Sequence, residues 1–190
     1  AFVGTDSSEL YGVALHGETV FLRVTNIGPT IQEAIYRSPD FWTATTPTWT
    51  KVLDLQNRIT SVVVRAGGTE VLATTPSMGL HRSTDGGATF TPFTAPPQAA
   101  CLGDRGDALF SCGANWDPDL FSLGRSPDGA AWTKVFRFVE MIGPLQCPAG
   151  TPQHDQCEAL GWPAIREQFG IKPPVDAGVD APGGHGGGDG

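Results

Sequence analysis

A short stretch that recurs at near-constant spacing constrains this chain more than any other feature. Its fullest copy is Arg82-Ser83-Thr84-Asp85-Gly86-Gly87-Ala88-Thr89-Phe90. Arg37-Ser38-Pro39-Asp40 and Arg125-Ser126-Pro127-Asp128-Gly129-Ala130-Ala131-Trp132 are imperfect copies, the last keeping the aromatic that follows. Asp40 and Asp85 lie 45 residues apart, Asp85 and Asp128 43. Trp-Thr-Lys-Val, at 49–52 and again at 132–135, repeats independently of the aspartates. A period of this length filled with short strands predicts an all-β chain of propeller blades, about three four-stranded antiparallel blades being visible.

Turn chemistry explains why the stretch recurs. A Ser, an Asp two residues on and then glycines describe a hairpin tip. The carboxylate caps backbone N–H groups and Gly takes the positive-φ positions. Phe90 or Trp132 then folds under the turn into the gap towards the next blade. In the pattern Ser83, Asp85, Gly87, Thr89, Phe90 the chain resembles the Asp-box (BNR) repeats of sialidase-like β-propellers. The resemblance implies that Ser38, Asp40, Ser83, Asp85, Ser126, Asp128, Gly129 and Trp132 are structural residues of the blade periphery, neither catalytic nor calcium-binding. The first tip lacks its glycines and carries an insertion from Phe41 to Thr48.

Written around the tips, the chain gives three blades. The first has strands at Leu10–Leu15, Thr19–Val24, Ala34–Arg37 and Trp49–Leu53. The second has Ile59–Val64, Glu70–Thr74, Gly79–Arg82 and Thr89–Phe93. The third has Gln98–Leu102, Ala108–Cys112, Leu120–Arg125 and Trp132–Phe136. Ala1–Thr5 reads as the end of an earlier strand, and Val139–Ile142 as the innermost strand of a fourth blade that is not completed. Since closed propellers take about four to eight blades and an open end exposes strand edges, further blades are expected, N-terminal of Ala1 or from another chain.

Residues 1–146 are thus expected to form a partial propeller and 147–171 a disulfide loop with a short helical cap. The cap is a helix over Glu158–Phe169 with Leu160, Trp162, Ile165 and Phe169 on its apolar side and Pro163 at its start. Residues 172–190 contain little but Pro, Asp, Ala, Val and Gly and cannot build a core. They resemble the linkers that precede anchoring segments in bacterial surface proteins, which implies a C-terminal fragment of such a protein.

Four cysteines allow three pairings. Neighbour pairing is expected: Cys101 with Cys112 on two antiparallel strands, and Cys147 with Cys157 closing a loop worth about 3 kcal/mol if unstrained. A four-Cys zinc site would use short Cys-x-x-Cys knuckles, which these spacings lack. Disulfides point to an oxidising compartment, so a secreted, periplasmic or bacterial cell-surface location is expected. No run of about eighteen apolar residues is present to span a membrane. The net charge of −8 disfavours nucleic acid as a partner.

Catalytic candidates are few. A sialidase needs three arginines that converge on a carboxylate, a Tyr nucleophile with a Glu partner, and an Asp acid/base. The family's Phe/Tyr-Arg-Ile-Pro motif is absent, Arg37, Arg82 and Arg125 belong to the repeat, and Tyr11 and Tyr36 sit in apolar strands that suit packing. Trp116, Asp117 and Asp119 place an aromatic beside two carboxylates on one loop and form the candidate ligand-contact surface. Arg105-Gly106-Asp107 matches an integrin-recognition tripeptide but reads as a hairpin turn, and His154-Asp155 as a surface pair. The expected role is a non-catalytic module that binds glycan or an extracellular protein, with no cofactor and no metal. The alternative is a fragment of a sialidase-like hydrolase whose catalytic residues lie in other blades.

Overall fold

The computed structural model describes residues 8–26, 32–94, 97–143 and 147–171. The chain divides into two compact units, Ala1–Arg137 and Phe138–Gly190. Residues 1–7, with the expected N-terminal strand remnant, and the linker 172–190 lie outside the described residues.

The first unit contains three four-stranded antiparallel sheets in strict chain order. Sheet A holds β1 (Ser8–His16), β2 (Thr19–Asn26), β3 (Gln32–Ser38) and β4 (Thr50–Leu55). Sheet B holds β5 (Ser61–Arg65), β6 (Glu70–Thr75), β7 (Gly79–Ser83) and β8 (Thr91–Thr94). Sheet C holds β9 (Cys101–Asp104), β10 (Leu109–Cys112), β11 (Leu123–Ser126) and β12 (Thr133–Phe136). Each sheet is a meander because its strands are joined by short turns, which permit only antiparallel neighbours.

Register is common to all three. The tip serines Ser38, Ser83 and Ser126 stand opposite Val20, Val71 and Leu109, and the preceding arginines opposite Phe21, Leu72 and Phe110. Side chains alternate between faces along a strand, so one register assigns every residue to a face. The first strands abut, β1 on β5 and β5 on β9. Two cores fill the gaps. Phe21, Ile35 and Leu53 of sheet A meet Ile59, Val62, Val71 and Ala73 at sheet B. Leu72 and Leu80 of sheet B meet Ala99, Leu102 and Leu109 at sheet C.

Phe90 packs against the core between sheets A and B, and Trp132 against the core between B and C. The tip aromatic therefore enters the gap towards the preceding sheet, not the next one as the sequence suggested. Pairing explains the direction. Ser83 faces the same side as its partner Val71, which belongs to the A–B core, and the aromatic that follows the turn returns on that side.

Polar clasps join the sheets as well. Glu33, 3% exposed, accepts the Ile59 N–H at 2.6 Å, while Arg23 donates to the Ile59 carbonyl at 2.5 Å. Thr60 donates to the Ala99 carbonyl at 2.8 Å, and Ser61 accepts the Leu102 N–H at 3.1 Å. Buried backbone groups need such partners wherever the ladder ends.

In the second unit Val139–Ile142 is not a strand. Phe138–Glu140 is a single 3₁₀ turn closed by the Met141 N–H on the Phe138 carbonyl, and Ile142 is 89% exposed. The helical cap begins before the expected Glu158: a π-helical stretch, His154–Gly161, runs into α1 (Trp162–Gln168). Pro163, expected at the helix start, lies instead within a continuous helical run over 152–168, just past the junction of the π-helical stretch with α1. Phe138 and Phe169 stack at 4.9 Å.

Candidate functional site

The repeated tips are the most elaborated polar arrangement among the described residues. At the second, Ser83 donates to Asp85 Oδ1 at 2.7 Å and accepts the N–H of Gly87 at 2.8 Å. Asp85 Oδ1 takes the N–H groups of Ala88 and Thr89, each at 3.0 Å, and Oδ2 takes the Thr89 hydroxyl at 2.6 Å. These donors stabilise the charged form, the Ser83 hydroxyl most, and hold the carboxyl well below the usual carboxylate range. Gly86 and Gly87 adopt φ of 71° and 81°, which the tight turn requires.

The third tip keeps the scheme one residue shorter. Ser126 donates to Asp128 at 3.3 Å and accepts the Gly129 N–H at 2.8 Å, while Asp128 takes the Ala130 N–H at 2.9 Å. The first tip keeps it through an insertion: Ser38 donates to Asp40 at 3.0 Å and the Thr48 N–H reaches the same oxygen at 3.0 Å. Thr48 precedes Trp49 as Thr89 precedes Phe90, so the loop between them lengthens without moving the cap. Both carboxyls are lowered, chiefly by the backbone N–H groups of Thr48 and Ala130. All three serines are buried, at 0%, 1% and 0% exposure. Every tip carboxylate thus accepts hydrogen bonds within its own turn, Asp85 through both oxygens and Asp40 and Asp128 through Oδ1.

The arginines have separate occupations. Arg37 donates to the Gly86 carbonyl of the next tip at 2.9 Å. Arg82 pairs with Glu70 at 2.7 Å and lies 4.8 Å over the Phe93 ring, and Arg125 pairs with Asp107 at 2.9 Å. They occupy one register position on three different sheets.

Of the expected contact loop, Trp116 is 51% exposed and Asp117 is exposed, but Asp119 is 8% exposed. Its carboxylate accepts the Gln98 N–H at 3.0 Å and the Ala114 N–H at 2.6 Å, so it pins the loop to the chain entering β9. Pro118 and Asp119 instead line a groove of about 440 Å³ with Phe93, Thr94, Phe121, Ala130 and Trp132. Trp132 stacks with Phe121 at 6.2 Å, and its indole N–H is held by the Gly129 carbonyl at 3.1 Å. Sequence reasoning missed this groove because Phe93 and Phe121 come from separate segments with no shared motif.

Cys101 and Cys112 form a disulfide, as directly opposed residues of β9 and β10. The structure does not join Cys147 to Cys157, contrary to the expected pairing. Cys157 is exposed on the helical stretch, and the Cys147 N–H is held by Glu158 at 3.0 Å, so a carboxylate secures this segment where a disulfide was expected. His154 contacts Asp155 at 3.0 Å and Glu158 at 3.3 Å. Among the described residues, no group of three His, Cys, Asp or Glu is placed to hold a metal ion. Arg105-Gly106-Asp107 is a hairpin turn: Gly106 has φ 82° and its N–H meets Asp104 at 3.0 Å.

Tyr11, read as a packing residue, is 41% exposed and donates to Glu9 two residues away, with Arg23 4.5 Å over its ring. The carboxylate raises the phenol pKa, which keeps the proton on the oxygen. No helix among the described residues is long and apolar enough to cross a membrane.

The fold and the tips together define a protein of repeated four-stranded meander sheets closed by capped Ser-x-Asp turns. Compared with family models, curated proteins and solved structures, the chain matches none.

Proposed function

We propose that the three sheets are consecutive blades of an Asp-box β-propeller that acts, outside the cytoplasm, as a non-catalytic binding module for glycans. The observation that carries this reading is the recurrence of one tip, with a buried serine and a carboxylate hydrogen-bonded within its own turn, on three successive sheets whose first strands abut. Such a tip stabilises a blade and does no chemistry. The disulfide supports an oxidising location. A sugar ring would stack on the exposed face of Trp116, since aromatic faces offer stacking area at low entropic cost.

A second reading, a fragment of a sialidase-like hydrolase, draws on the Tyr11–Glu9 hydrogen bond. The two separate in one experiment: the purified chain is applied to immobilised extracellular glycans and incubated with a fluorogenic sialoside. Binding that Trp116→Ala weakens at unchanged melting temperature, without release of fluorophore, is expected. Turnover abolished by Tyr11→Phe would establish the hydrolase instead.

A further inference from the structure

We infer that the groove between sheets B and C binds a small alkylammonium cation of the trimethylammonium type. The inference stands apart from the glycan reading, since neither Trp116 nor a tip carboxylate lines this groove. Its walls come from both sheets. Phe93 and Thr94 lie on β8, the last strand of sheet B, and Trp132 follows the tip of sheet C. Asp119 and Phe121 belong to the segment between β10 and β11. Equivalent positions account for part of the opening. Ile35 and Leu80 each stand three residues before a tip serine, Leu53 opposite the first and Thr94 opposite the second. Leu53 is buried in the core between sheets A and B. Thr94 is shorter and half-buried, and its hydroxyl donates to the Gly129 carbonyl at 3.1 Å. The volume of about 440 Å³ falls within the roughly 300 to 1,000 Å³ of small-molecule sites.

The charge of the occupant follows from Asp119. It is 8% exposed, and its carboxylate accepts only the backbone N–H groups of Gln98 and Ala114. Among the described residues no Lys, Arg or His forms an ion pair with it: Arg82 is taken by Glu70 and Arg125 by Asp107. Buried charges are as a rule paired, and none of the described residues pairs this one. Aromatic rings adjoin it. The Cβ that Gly113 lacks would lie 3.0 Å from Asp119 Oδ2 and 2.4 Å from Cε2 of Phe121, so carboxylate and ring are neighbours. Trp132 in turn stacks on Phe121 at 6.2 Å. Rings with a negative quadrupole and a carboxylate attract the same kind of ligand, a cation with an apolar surface. Within the chain Phe93 already does so, with the Arg82 guanidinium 4.8 Å over its ring. A bare metal ion would find a single carboxylate among the lining residues, whereas an alkylammonium ion uses the rings and the carboxylate together.

The test follows the indole N–H resonance of Trp132, which lines the groove, while the full chain is titrated with choline. A parallel titration uses the uncharged isostere of choline, in which carbon replaces the quaternary nitrogen. Choline should shift the resonance saturably at millimolar concentration, and the isostere should bind about tenfold more weakly. Phe93→Leu keeps apolar bulk without the ring and should weaken choline about tenfold at unchanged melting temperature. Asp119→Asn keeps an acceptor for Gln98 and Ala114 but removes the charge, and should weaken choline while leaving the isostere unaffected. The comparison of choline with its isostere needs no variant, so it decides the matter even where Asp119→Asn fails to fold. A resonance that choline does not shift saturably overturns the inference, as does equal binding of the two compounds by the wild type. Equal affinity for choline in the wild type and Phe93→Leu overturns it too.

Discussion

The ring of Phe21 fills the space that a side chain on Gly87 would need: a Cβ there would lie 2.4 Å from Cε1 and 2.5 Å from Cζ. Phe21 belongs to sheet A and Gly87 to the tip of sheet B, so the glycine serves two ends. It takes the positive φ of the turn and lets the neighbouring sheet close on it.

Gly87→Ala is accordingly expected to cost about 2 to 4 kcal/mol, strain at φ 81° adding to displacement of a fully buried ring. Gly67, at φ 64° with nothing within 4 Å, provides the contrast. Its alanine variant should lose only about 1 kcal/mol, the conformational part alone. Urea unfolding of the two variants measures the difference.

Glu33 and Arg23 hold both backbone groups of Ile59, which is 0% exposed. Glu33→Ala leaves the Ile59 N–H without its acceptor and Arg23 without its counter-charge, and about 3 kcal/mol should be lost. Glu33→Gln keeps an acceptor and should lose clearly less. Equal losses in the two variants would place the effect in packing.

Asp85 makes the fold acid-sensitive in a defined window. Its pKa is lowered on folding, so its contribution is complete above the unfolded value near 3.8 and declines as pH falls towards the folded one. Acid unfolding of Asp85→Asn should be flatter below about pH 4 than that of the wild type. Asp40 and Asp128 act in the same direction.

His81 adds a second window. It is 3% exposed on β7, and burial pushes its imidazole below the ordinary 6.5. Between the folded value and 6.5 the unfolded chain binds the extra proton, so stability should fall as pH drops through that range. Melting temperatures of His81→Gln, recorded from neutral to mildly acid pH, should lose this slope.

Reduction removes only the Cys101–Cys112 link, and the double serine variant there should lose about 3 kcal/mol. In the native, non-reduced protein Cys157, exposed on its helical stretch, should react with iodoacetamide. A native peptide map with no alkylated Cys157 would contradict the thiol seen here.

The three meander sheets and the Cys101–Cys112 pairing were legible in the sequence because both rest on local physics. Alternating apolar residues, positive-φ glycines and a Ser-x-Asp turn specify strands and tips within a dozen residues of each other, and register then follows from the faces. Val139–Ile142 misled because an apolar run of four carries no period long enough to separate a strand from a turn. Cys147 and Cys157 misled because spacing does not reveal that a helix turns one thiol to solvent. Tertiary structure alone decided which gap receives Phe90 and Trp132, that Glu33 and Arg23 reach across to Ile59, and that Phe93, Phe121 and Trp132 line one groove. Those are contacts between segments far apart in the chain, set by how whole sheets stack, and no local pattern encodes them.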